Sequence, residues 1–175
     1  MLILWLSFAI AVLDQATKYL IQSRFHVGDF VPVIPRLFDL HYVRNTGAAW
    51  GMFSGFSHWL VLVSVVMLVV LVVFRRWIMT DSTVHRCAAA LMIGGIVGNL
   101  VDRVRLGYVV DFLDFYWLER IGPHHFPAFN VADSAICVGV GLYILTQLWP
   151  GQAARAAAGV TPVQEAEATA AGGGD

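Results

Sequence analysis

Charge is what this chain has least of. Of its 175 residues only eleven are Lys or Arg and twelve Asp or Glu, 13% together, about half the share in an average soluble domain. So few charges do not cover the surface of a soluble domain, which excludes most soluble enzymes. The net charge of −1 leaves no basic footprint for nucleic acid. Cysteine is scarce as well. Cys87 and Cys137 lie in apolar runs without metal-ligand or redox spacing, which excludes a disulfide scaffold and reads as two buried thiols. No His-Glu-x-x-His is present, and the adjacent His124 and His125 do not share a helix face, so no metal site is expected.

What the chain has instead is apolar length. Hydrophobic residues make up 58%, and the mean hydropathy is +0.70. A bilayer core needs about 20 helical residues. Four runs meet that length, at about residues 2–22, 59–79, 84–104 and 131–149. No Lys or Arg precedes the first run, so it lacks the basic start of a secretory signal peptide and reads as a retained span. Residues 1–150 then form one four-span membrane domain. Residues 151–175, rich in Ala and Gly without apolar periodicity, read as a disordered tail.

The loops carry their own signals. Phe38, Leu40 and Tyr42 alternate with other residues, which predicts a short strand at the membrane surface. Pro32 and Pro35 break any helix there. In the second loop Tyr108, Phe112, Phe115, Tyr116 and Trp117 suit an interfacial anchor.

Four spans place both termini on one side and both long loops on the other. Asp14, Lys18, Asn45, Asn99, Asp102, Arg103, Asp111, Asn130 and Asp133 then fall near one membrane face. Each charge at mid-helix costs about 2.5–3.5 kcal/mol on insertion scales, so a convergent set of them marks a functional site. Basic residues flank both faces, and the positive-inside rule does not orient the chain.

The individual motifs have structural and chemical readings side by side. Asp14 and Lys18 are i,i+4 on one helix face, an intramembrane ion pair that can also support the site. Asn45-Thr46-Gly47-Ala48-Ala49-Trp50 is a turn, or a peptide-binding segment whose Asn can donate and accept. Gly94 and Gly98 have the spacing of close helix packing. Asn99, Asp102 and Arg103 follow them on neighbouring positions, where Arg103 can pair with a carboxylate. Asn130 and Asp133 fit a helix N-cap and its first turn. They also bring a second carboxylate toward Asp111. Two close carboxylates do not easily both ionise, so such a pair serves as general base and general acid together. Gly51-Met52-Phe53-Ser54-Gly55 has Met52 where the motif of intramembrane serine proteases needs glycine. A small proton- or ion-coupled transporter is the rival reading, because intramembrane carboxylates also relay protons.

Five segments in this order resemble the bacterial lipoprotein signal peptidase family, signal peptidase II. They are Asp14-Gln15-Ala16-Thr17-Lys18, Asn45 to Trp50, Gly94 to Arg103, Val109-Val110-Asp111-Phe112 and Phe129-Asn130-Val131-Ala132-Asp133. Trp50 stands where Phe is commoner. The resemblance implies an all-α integral membrane fold of four transmembrane helices, with a small β-cradle and a loop or periplasmic helix on the outer face. It implies an aspartic endopeptidase that cleaves prolipoproteins just before a diacylglyceryl-modified cysteine, with Asp111 and Asp133 as catalytic dyad. Asp14, Lys18, Asn45, Gly95, Asn99, Arg103, Asn130 and Ala132 match supporting or substrate-contacting positions. It further implies an enzyme of the bacterial inner membrane, inhibited by globomycin, needing no metal or cofactor; a monomer is expected, though residue pattern does not fix the oligomeric state. Its termini and tail would be cytoplasmic and its site would face outward, against membrane lipid.

Overall fold

The computed structural model describes residues 1–48, 52, 55, 57–75, 82–115 and 126–148. Ala49, Trp50, Tyr116, Trp117, the far end of the second apolar run, the expected loop helix after Phe115 and the tail lie outside the described residues. Met1–Tyr143 form one compact unit and Ile144–Asp175 a second, of which residues 144–148 are described.

Four long helices and three strands are described. They are α1 (Leu2–Arg24), β1 (Phe30–Ile34), β2 (Phe38–Asn45), α2 (Ser57–Val73), α3 (Thr83–Leu106), β3 (Val109–Phe115) and α4 (Val131–Leu148). Helices α1, α3 and α4 are long and apolar enough to cross a membrane, and α2 is a shorter apolar helix of 17 residues. Their distribution of side chains is inverted relative to a soluble bundle. The buried positions of α1 are Ser7, Asp14, Lys18 and Ile21, while Leu4, Trp5, Phe8 and Leu13 are exposed. A polar interior under an apolar exterior suits a hydrocarbon surround, where charges turn inward to find partners.

Small residues let these helices approach. A methyl at Gly94 would lie 2.7 Å from the Ser7 carbonyl oxygen, and one at Gly98 2.5 Å from Asp14 Oδ2. Gly94 and Gly98 therefore seat α1, as their spacing predicted. On the other side of α3, a methyl at Gly95 would overlap the Ala132 carbonyl, and Gly139 takes the Ala88 carbonyl. Ser7 Oγ also donates to the Ala90 carbonyl at 3.0 Å. Helix α3 ends at Gly107, whose φ of 79° is open to glycine and whose N–H caps Arg103. The chain turns there directly into β3.

Inside this contact lies a buried ion cluster. Lys18 Nζ is 2.9 Å from Asp14 Oδ2 and 3.1 Å from Asp102 Oδ2. It donates a third bond to Asn99 Oδ1 at 2.9 Å. The ion pair expected between Asp14 and Lys18 is thus present, but it joins two helices rather than serving α1 alone.

The strands supply the small sheet that the resemblance implied beside the helices. They form one antiparallel sheet in the order β1-β2-β3. The alternation around Phe38–Tyr42 marks β2. Neither β1 nor β3 is marked by the residue pattern. Pro32 sits in β1, but β1 is an edge strand, where a missing N–H is tolerated. β3 is buried on both faces, so its apolar residues do not alternate, and only its long-range pairing reveals it. Val110 and Phe112 face a core with Ile21 and Tyr42. Arg44 is paired with Val110 across the sheet and lies 4.8 Å from the Tyr108 ring centroid. The thiols are corrected: Cys87 is half-buried and Cys137 exposed, because an apolar helix here buries its small and polar stripe.

Two outcomes follow for stability in detergent. Gly95→Ala must displace the start of α4, and overpacking of this kind costs about 1–3 kcal/mol, whereas Gly141→Ala meets open space and leaves the melting temperature unchanged or higher. Asp14→Ala removes one counter-charge from Lys18 but leaves Asp102. It lowers stability by the lower end of the about 3–5 kcal/mol seen for broken buried pairs, read as a lower melting temperature, with activity reduced yet measurable. An unchanged melt with activity wholly gone would place Asp14 in the catalytic set instead.

Candidate active site

The site assembles where the first turn of α4, strand β3 and the far ends of α1 and α3 meet. Asn130 is the N-cap of α4. Its Oδ1 accepts the Asp133 N–H at 2.9 Å, and Asp133 Oδ2 accepts the Asn130 N–H at 3.2 Å. This is a reciprocal capping box. The capping reading of Asn130 and Asp133 is therefore correct as far as it goes. The Asn130 amide also reaches the other carboxylate, its Nδ2 donating to Asp111 Oδ1 at 2.7 Å.

Asp111 reaches the same place from the sheet. Asn45 pairs with Val109, so Asn45, Val109 and Asp111 share one face. Asn45 Nδ2 accordingly donates to Asp111 Oδ2 at 2.8 Å, and its Oδ1 accepts the Gly47 N–H at 2.9 Å. The remaining oxygen, Asp133 Oδ1, accepts from Asn99 Nδ2 at 2.7 Å. Among the described residues each of the four carboxylate oxygens thus holds one N–H, and every donor is neutral. Among the described residues no cation lies within salt-bridge distance of either carboxylate. Burial, with the Asp133 carboxylate adding to it, pushes the Asp111 carboxyl up to about 7, against the opposing pull of Asn45, Asn130 and Lys18.

The supporting residues divide by what they touch. Asn99 bridges Lys18 to Asp133 and also faces Asn130 Nδ2 at 3.2 Å. Asp14 Oδ1 accepts the Ala132 N–H at 2.9 Å, one residue before Asp133. Gly95 and Ala132 act through packing: the glycine makes room for the alanine's backbone. Among the described residues Arg103 does not pair with a carboxylate as its position suggested. Its Nη2 donates to the Gly47 carbonyl at 3.3 Å, which ties α3 to the turn after β2. It still faces the electrostatic field of Asp133, Asp111 and Asp102.

Two residues were left without a role by the sequence. Asp102 accepts the Val110 N–H at 3.0 Å and the Gln15 amide at 2.9 Å. Gln15 also donates to the Gly98 carbonyl at 3.1 Å. The signal for Asp102 was its charge: an acidic group on an apolar helix needs a partner, and Lys18 is the cation within reach.

A cavity of about 560 Å³ opens beside the carboxylates. Asn45, Arg103, Asp111 and Asp133 line one part of it, and Val63, Met67, Ile96 and Ile136 form an apolar wall from α2, α3 and α4. A chain segment with a polar peptide and an apolar flank fits both parts. The arrangement suits acid–base chemistry on a peptide beside an apolar binding surface.

Known proteins share this architecture. A lipoprotein signal peptidase from Syntrophotalea carbinolica is 44% identical over 149 residues, 83% of this chain and 90% of its own. One from Geobacter sulfurreducens is 52% identical over 134 residues, 75% and 81% of the two chains. A solved bacterial membrane enzyme, obtained by the in meso method, matches 86% of this chain and 89% of its own, with TM-score 0.75 and 34% identity. A second of the same description matches 83% and 92%, with TM-score 0.71 and 35% identity. The family model described as Signal peptidase (SPase) II matches residues 6–149. The chain therefore belongs to the signal peptidase II family.

Proposed function

We propose that this peptidase is an aspartic endopeptidase that removes signal peptides from diacylglyceryl-modified prolipoproteins, cutting just before the lipid-modified cysteine. The observation that carries this reading is the pair Asp111 and Asp133. They come from a strand and a helix, each is held by amide donors alone, and both line a cavity with an apolar wall.

The pair carries one proton. The ionised carboxylate takes a proton from water as the water oxygen attacks the scissile carbonyl carbon. The neutral carboxyl gives its proton to the carbonyl oxygen. Collapse of the tetrahedral intermediate breaks the C–N bond. The amine leaves with the proton taken from water, and the carbonyl re-forms by returning its proton to the pair. A carboxyl raised to about 7 keeps that proton near neutral pH. The pair titrates as a unit, so the two apparent pKa values belong to it jointly.

In this reading α2 is the second of four spans, both termini are cytoplasmic, and the site faces outward from the bacterial inner membrane. Residues 1–150 act as a single monomeric domain, and residues 151–175 form a cytoplasmic tail. The apolar wall receives acyl chains or the signal peptide's hydrophobic segment. Membrane lipid surrounds the rest, and globomycin-type cyclic peptides compete for the cavity. Neither metal nor cofactor takes part. A proton-coupled transporter fits less well, since Asp14, Asp102, Asp111 and Asp133 form one connected group rather than a relay of carboxylates along the spans.

The first test uses the purified full chain and a diacylglyceryl-modified precursor. Asp111→Asn and Asp133→Asn each lower turnover by at least about 10³-fold while the protein stays folded, and the double variant is no worse than either. Asp114→Asn, whose carboxylate faces His41 at 3.0 Å, remains active. Turnover against pH is bell-shaped. Because the raised Asp111 carboxyl must hold its proton, the alkaline limb falls as pH rises through about 7. Substantial turnover by either folded single variant would show that the pair is misassigned.

The second test concerns the lipid. Each buried methylene contributes about 0.8 kcal/mol, so the unmodified precursor is cleaved far more slowly than the modified one at equal concentration. Equal rates would remove the acyl chains from recognition.

A further inference from the structure

Each member of the pair follows a residue whose peptide N–H ends on a buried carboxylate. Ala132, just before Asp133, donates to Asp14 Oδ1 at 2.9 Å. Val110, just before Asp111, donates to Asp102 Oδ2 at 3.0 Å. Both carboxylates then converge on one ammonium, Lys18, at 2.9 and 3.1 Å.

We propose that Asp102 is a positioning residue for the reaction: anchored by Lys18 and Gln15, its carboxylate holds the Val110 peptide and so sets where Asp111 stands relative to Asp133. The proposal rests on the assignment of Asp111 and Asp133 as the catalytic pair.

Val110 shows why a side chain is needed there. It pairs with Arg44 across the sheet, yet its N–H goes to Asp102 and its carbonyl accepts Asn130 Nδ2 at 3.3 Å. Among the described residues no further strand continues the sheet at Val110; Phe129 bonds β3 at Phe112 and Leu113. Both polar groups of the residue leading into Asp111 are therefore held by the site's own network. Asp102 is itself held in place. Its Oδ1 accepts Gln15 Nε2 at 2.9 Å, and its Oδ2 sits between Val110 and Lys18. Displacement of a catalytic group by about 1 Å costs up to about 100-fold in rate, which sets the scale of the effect.

The simpler role for Asp102 is to neutralise Lys18. Two substitutions separate the roles. Asp102→Ala removes both the charge and the acceptor. Asp102→Asn removes the charge and keeps an oxygen for Val110; the Gln15 amide accepts from the new Nδ2 only by turning and giving up its bond to the Gly98 carbonyl. Positioning predicts that folded Asp102→Ala loses about 10- to 100-fold in kcat with KM within about twofold of the parent. It also predicts faster hydrogen exchange at the Val110 amide. Asp102→Asn recovers most of the kcat and the amide protection. Its pH profile moves to lower pH, because Lys18 then acts on Asp111 with one counter-charge fewer. The charged groups facing Asp111 are Asp133 from α4, Arg103 from α3 and Lys18 from α1, and β2 faces it with the neutral Asn45.

The experiment measures kcat, KM, the pH profile and Val110 exchange on the full chain in detergent with a diacylglyceryl-modified precursor, beside Asp111→Asn. Parental kcat and pH profile in folded Asp102→Ala, with Asp111→Asn inactive, overturn the positioning role and leave the pair intact. Turnover by Asp111→Asn instead overturns the pair itself, and the proposal with it. Should Asp102→Ala fail to fold, Gln15→Leu decides. It removes one anchor of Asp102, and a several-fold loss in kcat at constant KM supports the role while parental kcat ends it.

Discussion

One ammonium group holds the structure to its shape. Lys18 has three N–H donors, and the interior supplies three acceptors: Asp14, Asp102 and Asn99. A buried charge without partners is too costly to keep, so α1 and α3 must stand close enough to complete this set. Gly98 permits that approach, since any side chain there would collide with the Asp14 carboxylate. The two acids then spend their other bonding capacity on backbone N–H groups of α4 and β3. Thus a charge-pairing requirement on two helices becomes a constraint on the elements that carry Asp133 and Asp111.

Such reliance on polar contacts follows from the surroundings. Between helices in hydrocarbon, burying Leu or Val gains little, because the lipid is as apolar as the protein. Small residues and interhelical hydrogen bonds supply the specificity instead. Ser7 on Ala90, Gln15 on Gly98 and the Lys18 cluster join α1 to α3. The sheet obeys the ordinary rule. Ile21, Tyr42, Val110 and Phe112 form a small apolar core, and it sits where the chain leaves its helices for loops. Asp111 stands at the junction of these two regimes, on a strand with an apolar core against one face and the polar network against the other.

This division explains what could be read from the chain and what could not. The helices α1, α3 and α4 were legible because their length and apolarity are local properties. Gly94 and Gly98 were legible as a packing face, and Asn130 with Asp133 as a cap, because both signals lie within one helix. The gathering of polar residues at one end followed from counting spans. β3 was not legible, since burial on both faces erases the alternation that marks a strand. Asp102 was legible as a member of the polar cluster but not in its role, for a related reason. Its function lies in a bond to Val110, a backbone group eight positions away on another element, and nothing in residue type announces a backbone partner. The pairing expected for Arg103 failed because a carbonyl of the turn at Gly47 was the group within its reach.

Where the cation does not touch matters as much as where it does. A carboxylate bonded directly to an ammonium is held ionised and is a poor acceptor for a proton. Lys18 stays one side chain away from Asp133, with the Asn99 amide between them: its oxygen faces the ammonium and its nitrogen faces the carboxylate. Asn130 and Asn45 likewise present nitrogen to Asp111. Three neutral amides orient the pair without neutralising it. The cluster can therefore fix geometry through charge while the two carboxylates remain in a site where burial raises Asp111 to about 7. A basic residue in place of any of these amides would instead pair with a carboxylate and hold it ionised.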